Sequence, residues 1–385
     1  MTRRYIWEKP GWPDLSVRLE DLAQPLATAH FARGEIAGVL RALGAADRER
    51  IELDALADTA LETSDIEGER LSPDSVRASL ARRLDLAHRV RSPADPRADG
   101  VVAMTVDATL NAAEPLTKER LFRWQADLFP LAPRSLTVGA WRKANDDPMQ
   151  VVSGPVSARV VHFEAPPASR VAREMKSFLT WFESPQEQGA PPLPRLVHAA
   201  LAHLWFLTIH PFADGNGRIA RAIADLALAR AEQQVAPYVS LSRQIRKERN
   251  AYYDAIRSAQ RGGLDVTAWT LWFIDCYRRA MADTISSVDG LLRAAAFWRD
   301  HTGMEINARQ RKVLERYLAG DFQGWLNSRN YSAIAKTSAD TAQRDLADLV
   351  EKKIAFANDG RARKTSYRLD PAYDPHRTEH REPPR

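Results

Sequence analysis

One stretch joins residue types that handle a phosphate anhydride: His210-Pro211-Phe212-Ala213-Asp214-Gly215-Asn216-Gly217-Arg218, with Arg221 three residues on. Gly215 and Gly217 lack a Cβ, so the backbone can turn tightly and approach a ligand closely. Arg218 and Arg221 share a helix face and aim two cations at one anion. Asp214 is a hard oxygen donor suited to Mg²⁺, which takes one or two carboxylates beside phosphate oxygens. His210 is a base whose unperturbed pKa lies near neutrality. Taken singly, each has a plainer reading: a loop histidine, an Asp-Gly turn, a solvated arginine. The set at this spacing points to a nucleotide site.

Two segments must hold these groups. Leu196–Ile209 before the stretch and Ile219–Ala231 after it carry apolar residues at helical spacing, so the stretch reads as an interhelical loop. The second helix opens at the glycines, offering unpaired N–H groups and a positive dipole end. Phe212 is expected to turn inward as the loop's anchor. No Gly-x-x-x-x-Gly-Lys-Ser/Thr loop is present, and no strand precedes the glycines as a dinucleotide fingerprint requires.

The stretch resembles the signature of Fic (fido) domains, His-x-Phe-x-Asp/Glu-Gly-Asn-Gly-Arg-x-x-Arg, at every fixed position. The resemblance implies transfer of AMP from ATP to a Tyr, Ser or Thr hydroxyl of a target protein. It implies that His210 deprotonates the hydroxyl and Asp214 holds Mg²⁺. Asn216 and the Gly215 and Gly217 backbone would hold the α- and β-phosphates, Arg218 the phosphate chain and Arg221 the γ-phosphate. The family's kinase-like branch has Lys where Gly217 stands, which disfavours phosphorylation. A phosphocholine-transferring branch shares the signature, so transfer of another phosphate-linked group stays open.

Upstream, Thr63-Ser64-Asp65-Ile66-Glu67-Gly68 ends a helix that is periodic from Ile51 through Leu61, with Gly68 its stop. It resembles the family's inhibitory motif, Ser/Thr-x-x-x-Glu-Gly/Asn. That resemblance implies that Glu67 pairs with Arg221 and fills the γ-phosphate's place, with Thr63 and Gly68 completing the motif. The plainer alternative is an exposed helix-end glutamate, although a carboxylate there opposes the dipole.

Residues 5–13 are aromatic and proline-rich and suit an extended segment laying rings on a neighbour. Residues 19–60 read as helices broken near Gly44, similar to an N-terminal module that accompanies some Fic domains. Residues 92–99 read as a proline-rich linker or loop. Thr117 caps a helix ending at Leu128, and Gly139-Ala140-Trp141-Arg142 is similar to a Gly-x-x-Arg stretch of the family. Gln150–Val152 and Arg159–Phe163 flank a turn signal at Ser153-Gly154-Pro155 and predict a hairpin. The family places a flap there that pairs with an extended target segment, which puts Val161, His162 and Phe163 in the flap zone. A hairpin that merely covers the core is the alternative. After the signature helix comes Ser240–Ala259, carrying Tyr252 and Tyr253. One of those rings facing a bound adenine competes with both packing in the core.

Ala308–Leu318, Tyr331–Lys336, Ser338–Lys352 and a turn at Asn358-Asp359-Gly360 resemble a winged helix-turn-helix. Thr341, Gln343 and Arg344 would be exposed on its recognition helix, with Arg361, Arg363 and Lys364 at the wing tip. Asp340, Asp345 and Asp348 on that helix repel phosphates. DNA and a protein partner, a second copy included, stand level as occupants.

The 385 residues carry a net charge of +5, most of it within residues 305–385. The single cysteine, Cys276, excludes an internal disulfide and reads as a core residue. No apolar signal core and no bilayer-length apolar run is evident, so a cytoplasmic protein with no membrane partner is expected. The expected fold is mainly α: a Fic-type helical core with a small β-hairpin flap, plus a C-terminal winged-helix domain. The expected divisions are an N-terminal inhibitory region at 1–95, a catalytic core at 96–300, a winged helix at 301–370 and a disordered tail at 371–385. The expected function is an autoinhibited protein adenylyltransferase using ATP and Mg²⁺. The alternative is a DNA-binding transcriptional regulator using the nucleotide pocket as a sensor.

Overall fold

The computed structural model describes residues 4–84, 93–143, 149–153, 160–184, 194–231, 235–319, 324–358 and 366–375. It is mainly helical, with two small antiparallel hairpins among the described residues. Chain contacts divide it after Ala282, inside a long helix.

In the first unit, α1 (Leu19–Ala42) and α2 (Ala45–Ile66) follow the N-terminal segment, with Gly44 between them. Gly68, at φ +83°, turns the chain after α2. The segment called a linker is instead the start of a helix, α4 (Pro96–Leu110), which follows α3 (Pro73–Arg83). Asp95 caps it by accepting from the Arg97 N–H, and Pro96 sits in its first turn, where a missing N–H does no harm. Residue 92 lies outside the described residues. In α5 (Lys118–Leu128), Thr117 accepts from the Arg120 N–H as its cap.

Strands β1 (Gln150–Ser153) and β2 (Val160–Glu164) pair antiparallel, with Val151 opposite Phe163 and Val152 opposite Val161. His162 is therefore the extra residue of a bulge, which bends and twists such a ribbon. Gly154, Pro155 and Arg159 lie outside the described residues. Next come α6 (Ala168–Glu183), α7 (Arg195–Ile209) and α8 (Asn216–Ala231). Helix α7 is apolar nearly all round and buried on most of its surface, as a central helix must be. His203 in its middle is satisfied on both sides. Its Nδ1–H donates to the Ala220 carbonyl at 3.0 Å and its Nε2 accepts from the Tyr252 hydroxyl at 2.9 Å.

Two helices follow, α9 (Leu241–Lys247) and α10 (Arg249–Arg261). Glu248 leaves helical geometry between them. Its carboxylate accepts two bonds from Arg279 of α11 (Thr267–Asp300), which holds the break in place.

The second unit holds α12 (Ala308–Leu318), α13 (Ser328–Ala335), α14 (Ala339–Glu351), β3 (Ala355–Ala357) and β4 (Tyr367–Leu369). β3 and β4 pair antiparallel, and Leu326 bridges to Tyr367. Asp345 does not face outward as the sequence reading took it to. It is 7% exposed and accepts from Asn307, Arg309 and Tyr331, joining three helices. Asp348 is bonded to Gln310 and Lys352. Gln343 and Arg344 are exposed as expected, and Thr341 is half-buried. Arg361, Arg363 and Lys364 lie outside the described residues. The expected tail is ordered at its start, where the Tyr317 hydroxyl donates to buried Asp374 and Tyr373 packs on the unit's core.

Candidate active site

The signature stretch joins α7 to α8. His210 closes α7 in the left-handed region at φ +53°, a conformation few non-glycine residues adopt. Its amide still donates to the Phe206 carbonyl at 3.0 Å. Phe212 is fully buried, as expected. The Asn216 side chain is engaged within the loop. Its carboxamide accepts from the Phe212 N–H at 3.0 Å and donates to the Phe212 carbonyl at 2.9 Å, bracing the loop across its width. Gly215 has φ +88°, and a Cβ there would meet the Phe129 ring at 2.9 Å. Arg142 ties down both sides of the loop. Its backbone N–H donates to the Pro211 carbonyl, and its side chain donates to the carbonyls of His210 and Pro166.

The His210 Nδ1 lies 3.3 Å from the Leu207 carbonyl. A carbonyl only accepts, so Nδ1 carries the hydrogen and Nε2 keeps its lone pair. Burial pushes the imidazole down to about 4, with the Arg142 charge adding to it against the Leu207 bond. The ring is therefore neutral near pH 7, as a proton acceptor must be.

His210 faces a cavity of about 750 Å³, ample for a nucleotide. Of the residues singled out in the sequence, His210, Gly217, Arg221, Glu67, His162 and Phe163 line it. Arg218, Asn216, Asp214, Gly215, Thr63, Gly68 and Val161 do not. Tyr253 lines it beside Tyr252, whose hydroxyl is spent on His203. Arg249, Arg257 and Gln260 also line it and escaped the sequence reading. Their spacing with Tyr253 and Ile256 along α10 is helical and marks one face, a signal that was available.

Both signature arginines are held by carboxylates from the four residues after α2. Arg221, 1% exposed, donates from Nη2 to Glu67 Oε1 at 2.8 Å. It also donates to the Thr63 hydroxyl at 2.7 Å and the Thr63 carbonyl at 2.9 Å. Arg218 donates from Nη1 to Glu69 at 2.7 Å and lies over the Phe129 ring. Glu69 was not foreseen; it directly follows the motif, two residues after Glu67. Burial pushes the Glu67 carboxyl up, but the charge and hydrogen bond of Arg221, with Arg218 and His210, hold it below the usual carboxylate range. A Cβ on Gly217 would lie 2.1 Å from Glu67 Oε1, so the carboxylate rests directly on the signature backbone.

The arginines are not fully satisfied. Arg218 Nε and Arg221 Nη1 are buried with no acceptor among the described residues. Buried donors without partners are costly, and such donors at a helix start fit an anion. Asp214 is exposed, and one of its oxygens accepts from the Gly215 N–H at 2.6 Å. Among the described residues no three His, Cys, Asp or Glu gather as metal ligands. A cation here would thus take one carboxylate and fill its shell from phosphate and water, which suits Mg²⁺.

Residues 115–228, which hold this loop, match the family model described as "Fic/DOC family". Residues 5–86 match a model described only as a domain of unknown function, DUF4172. Among curated proteins the chain is similar to "Protein adenylyltransferase Fic" of Aedes aegypti, at 34% identity over 107 residues, 28% of this chain and 19% of that one. The same protein of Drosophila mojavensis is 33% identical over 107 residues, again 28% and 19%. The chain spans about a fifth of the length of these curated relatives. Among solved structures, a Fic family protein from Desulfovibrio desulfuricans G20 aligns with TM-score 0.49 and 21% identity, over 89% of this chain and 96% of that one. Fic-1 from C. elegans aligns with TM-score 0.46 and 20% identity, over 72% and 74%. Among the described residues no helix is long and apolar enough to cross a membrane.

Proposed function

We propose that the chain is an autoinhibited protein adenylyltransferase that transfers AMP from ATP to a protein hydroxyl. The observation that carries this reading is the neutral His210, its Nδ1 bonded to the Leu207 carbonyl so that Nε2 keeps its lone pair, at a cavity that Arg221 of the same signature also lines. The acceptor oxygen attacks the α-phosphorus, a P–O bond forms, and the bond to the β-phosphate bridging oxygen breaks. Pyrophosphate leaves, and His210 takes the hydroxyl proton. Such a reaction is served by alignment and charge neutralisation more than by covalent help. The unpartnered Arg218 and Arg221 nitrogens and the first turn of α8 would receive the phosphate oxygens. Mg²⁺, held at Asp214, would neutralise phosphate charge. Glu67 holds Arg221 away from a γ-phosphate, which supports the autoinhibited form.

The test is incubation with ATP labelled at the α- or the γ-position. Protein labelled from the α-position alone supports AMP transfer. Labelling from the γ-position would replace it with phosphorylation. In His210→Ala, transfer is expected to fall ~10²–10⁴-fold, the range of a positioned general base, with ATP affinity retained. Collapse of ATP affinity in that variant would sink the base assignment.

A second reading is supported by the second unit, whose helix, helix, hairpin order fits a winged helix-turn-helix. Asp345 turned inward leaves Gln343 and Arg344 on the exposed face of α14. Salt-sensitive binding of duplex DNA, lost in Arg344→Glu, would support it. Duplex binding indifferent to that change would remove it.

A further inference from the structure

The flap wall of the cavity is buttressed from outside the stretch that matches the Fic/DOC family. Phe163 lines the cavity and is 1% exposed. Behind it stands the buried ring of Tyr5, edge to face with ring centres 5.1 Å apart. One residue on, the Glu164 carbonyl accepts from the Trp7 indole N–H at 2.7 Å. The Arg170 guanidinium lies over the Trp7 ring at 5.3 Å. The short turn Ile6–Glu8, which carries Trp7 and is capped by Tyr5, is itself fixed, because the Glu8 carboxylate accepts from the N–H groups of Arg4 and Tyr5. Met149, just before β1, packs on the same cluster, and its carbonyl accepts from the Ala165 N–H.

The hairpin needs such support. A two-stranded ribbon alone is marginal in water, and this one has short strands and a bulge. Its position must come from its neighbours. From α10, Arg261 donates to the carbonyls of Val161 and His162. From the N-terminus come Tyr5 and Trp7.

We propose that Tyr5 and Trp7, in the region matching a domain of unknown function, are positioning residues for the transfer reaction. They set where Phe163 and the β2 backbone stand, and so where an acceptor segment lies relative to His210. The proposal rests on the reading of this site as an AMP transferase with a substrate-aligning flap. It separates ring from hydroxyl, because the Tyr5 hydroxyl is buried with no hydrogen-bond partner among the described residues. The ring is the working part, and phenylalanine should replace it.

The test uses the full chain carrying Glu67→Gly, alone and with Tyr5→Ala, Tyr5→Phe or Trp7→Phe. Three quantities are read: amide hydrogen exchange at Val161–Glu164, affinity for MgATP, and transfer of label from α-labelled ATP to proteins of a cell extract. With Tyr5→Ala, exchange should rise and labelling should fall at least ~5-fold, with MgATP affinity within ~2-fold; loosened local packing raises opening in this way. Trp7→Phe keeps an aromatic ring and deletes one hydrogen bond, so it tests the brace if Tyr5→Ala fails to fold. It should shift both readouts in the same direction. Tyr5→Phe should match the parent. Unchanged exchange and labelling in both Tyr5→Ala and Trp7→Phe would overturn the proposal. So would a loss of MgATP affinity as large as the loss of labelling, or a Tyr5→Phe variant as impaired as Tyr5→Ala. If the Glu67→Gly parent labels nothing, the transferase reading fails on its own. Exchange would then still report whether the brace exists.

Discussion

Replacing Glu67 by glycine is the most informative single change. The carboxylate makes one charge-assisted hydrogen bond to Arg221, at 2.8 Å. Such bonds contribute about 1.5–3 kcal/mol net. The Glu67 side chain is 34% exposed, and solvent screening favours the lower part of that range. About 1.5–2 kcal/mol corresponds to roughly 10–30-fold in the equilibrium between blocked and open Arg221. The arginine itself should stay put, because Thr63 still accepts from it twice. Its charge, however, loses its nearest anion, and a buried charge without a partner destabilises. Two results are therefore expected in Glu67→Gly: self-labelling from α-labelled ATP rises roughly 10–30-fold, and the melting temperature without nucleotide falls. ATP should recover more of that loss than AMP does, because only ATP brings a γ-phosphate to Arg221. Thermal shift with both nucleotides, beside labelling of wild type and variant, reads all of this. Equal shifts from ATP and AMP in the variant, with labelling unchanged, would refute the idea that Glu67 stands where the γ-phosphate goes.

Three further outcomes are expected. Glu69→Gln weakens the hold on Arg218 without touching the Arg221 pair, so titration calorimetry should show nucleotide diphosphate binding tighter, by roughly 3–10-fold on the scale of one charged hydrogen bond discounted for exposure. Burial pushes the Asp225 carboxyl up to about 7, against the pull of Arg221. A raised acid favours the folded state below its unfolded pKa and loses that contribution as pH rises through 7, so Asp225→Asn should raise the melting temperature more at pH 8 than at pH 5; an equal gain at both would count against it. Tyr252→Phe leaves the His203 Nε2 without its donor in a fully buried site, so chemical denaturation should show a loss of about 1–3 kcal/mol.

The loop was legible because its residue types are tied to backbone needs: Phe212 to burial, Gly215 to a positive φ, His210 to the end of α7. The helices before and after it followed from apolar spacing alone. The bond of the Asn216 carboxamide to the Phe212 backbone was not legible, because a carboxamide serves a loop carbonyl as readily as a phosphate. Pro96 was read as a breaker, although at the first turn of α4 it begins a helix. The break at Glu248 was not legible, because the arginine that its carboxylate meets, Arg279, lies on α11. Glu69 and Asp345 show the same limit in charge. Sequence gives the sign of a side chain, but whether it meets water or a buried partner depends on residues far away in the chain. Tyr5 and Trp7 were legible as rings seeking a surface, and the surface they found was not.

The two carboxylates at the signature arginines share one short piece of backbone, which hangs from the end of α2. That helix is fastened in turn to α9 through Thr59 with Ser240, Asp58 with Arg243, and Asp65 with Arg246. Glu67 and Glu69 thus hang from a single lever, α2, whose ties to α9 are polar. Under the proposed autoinhibited reading, a ligand that broke the Asp58–Arg243 tie would loosen the backbone carrying both carboxylates without entering the cavity.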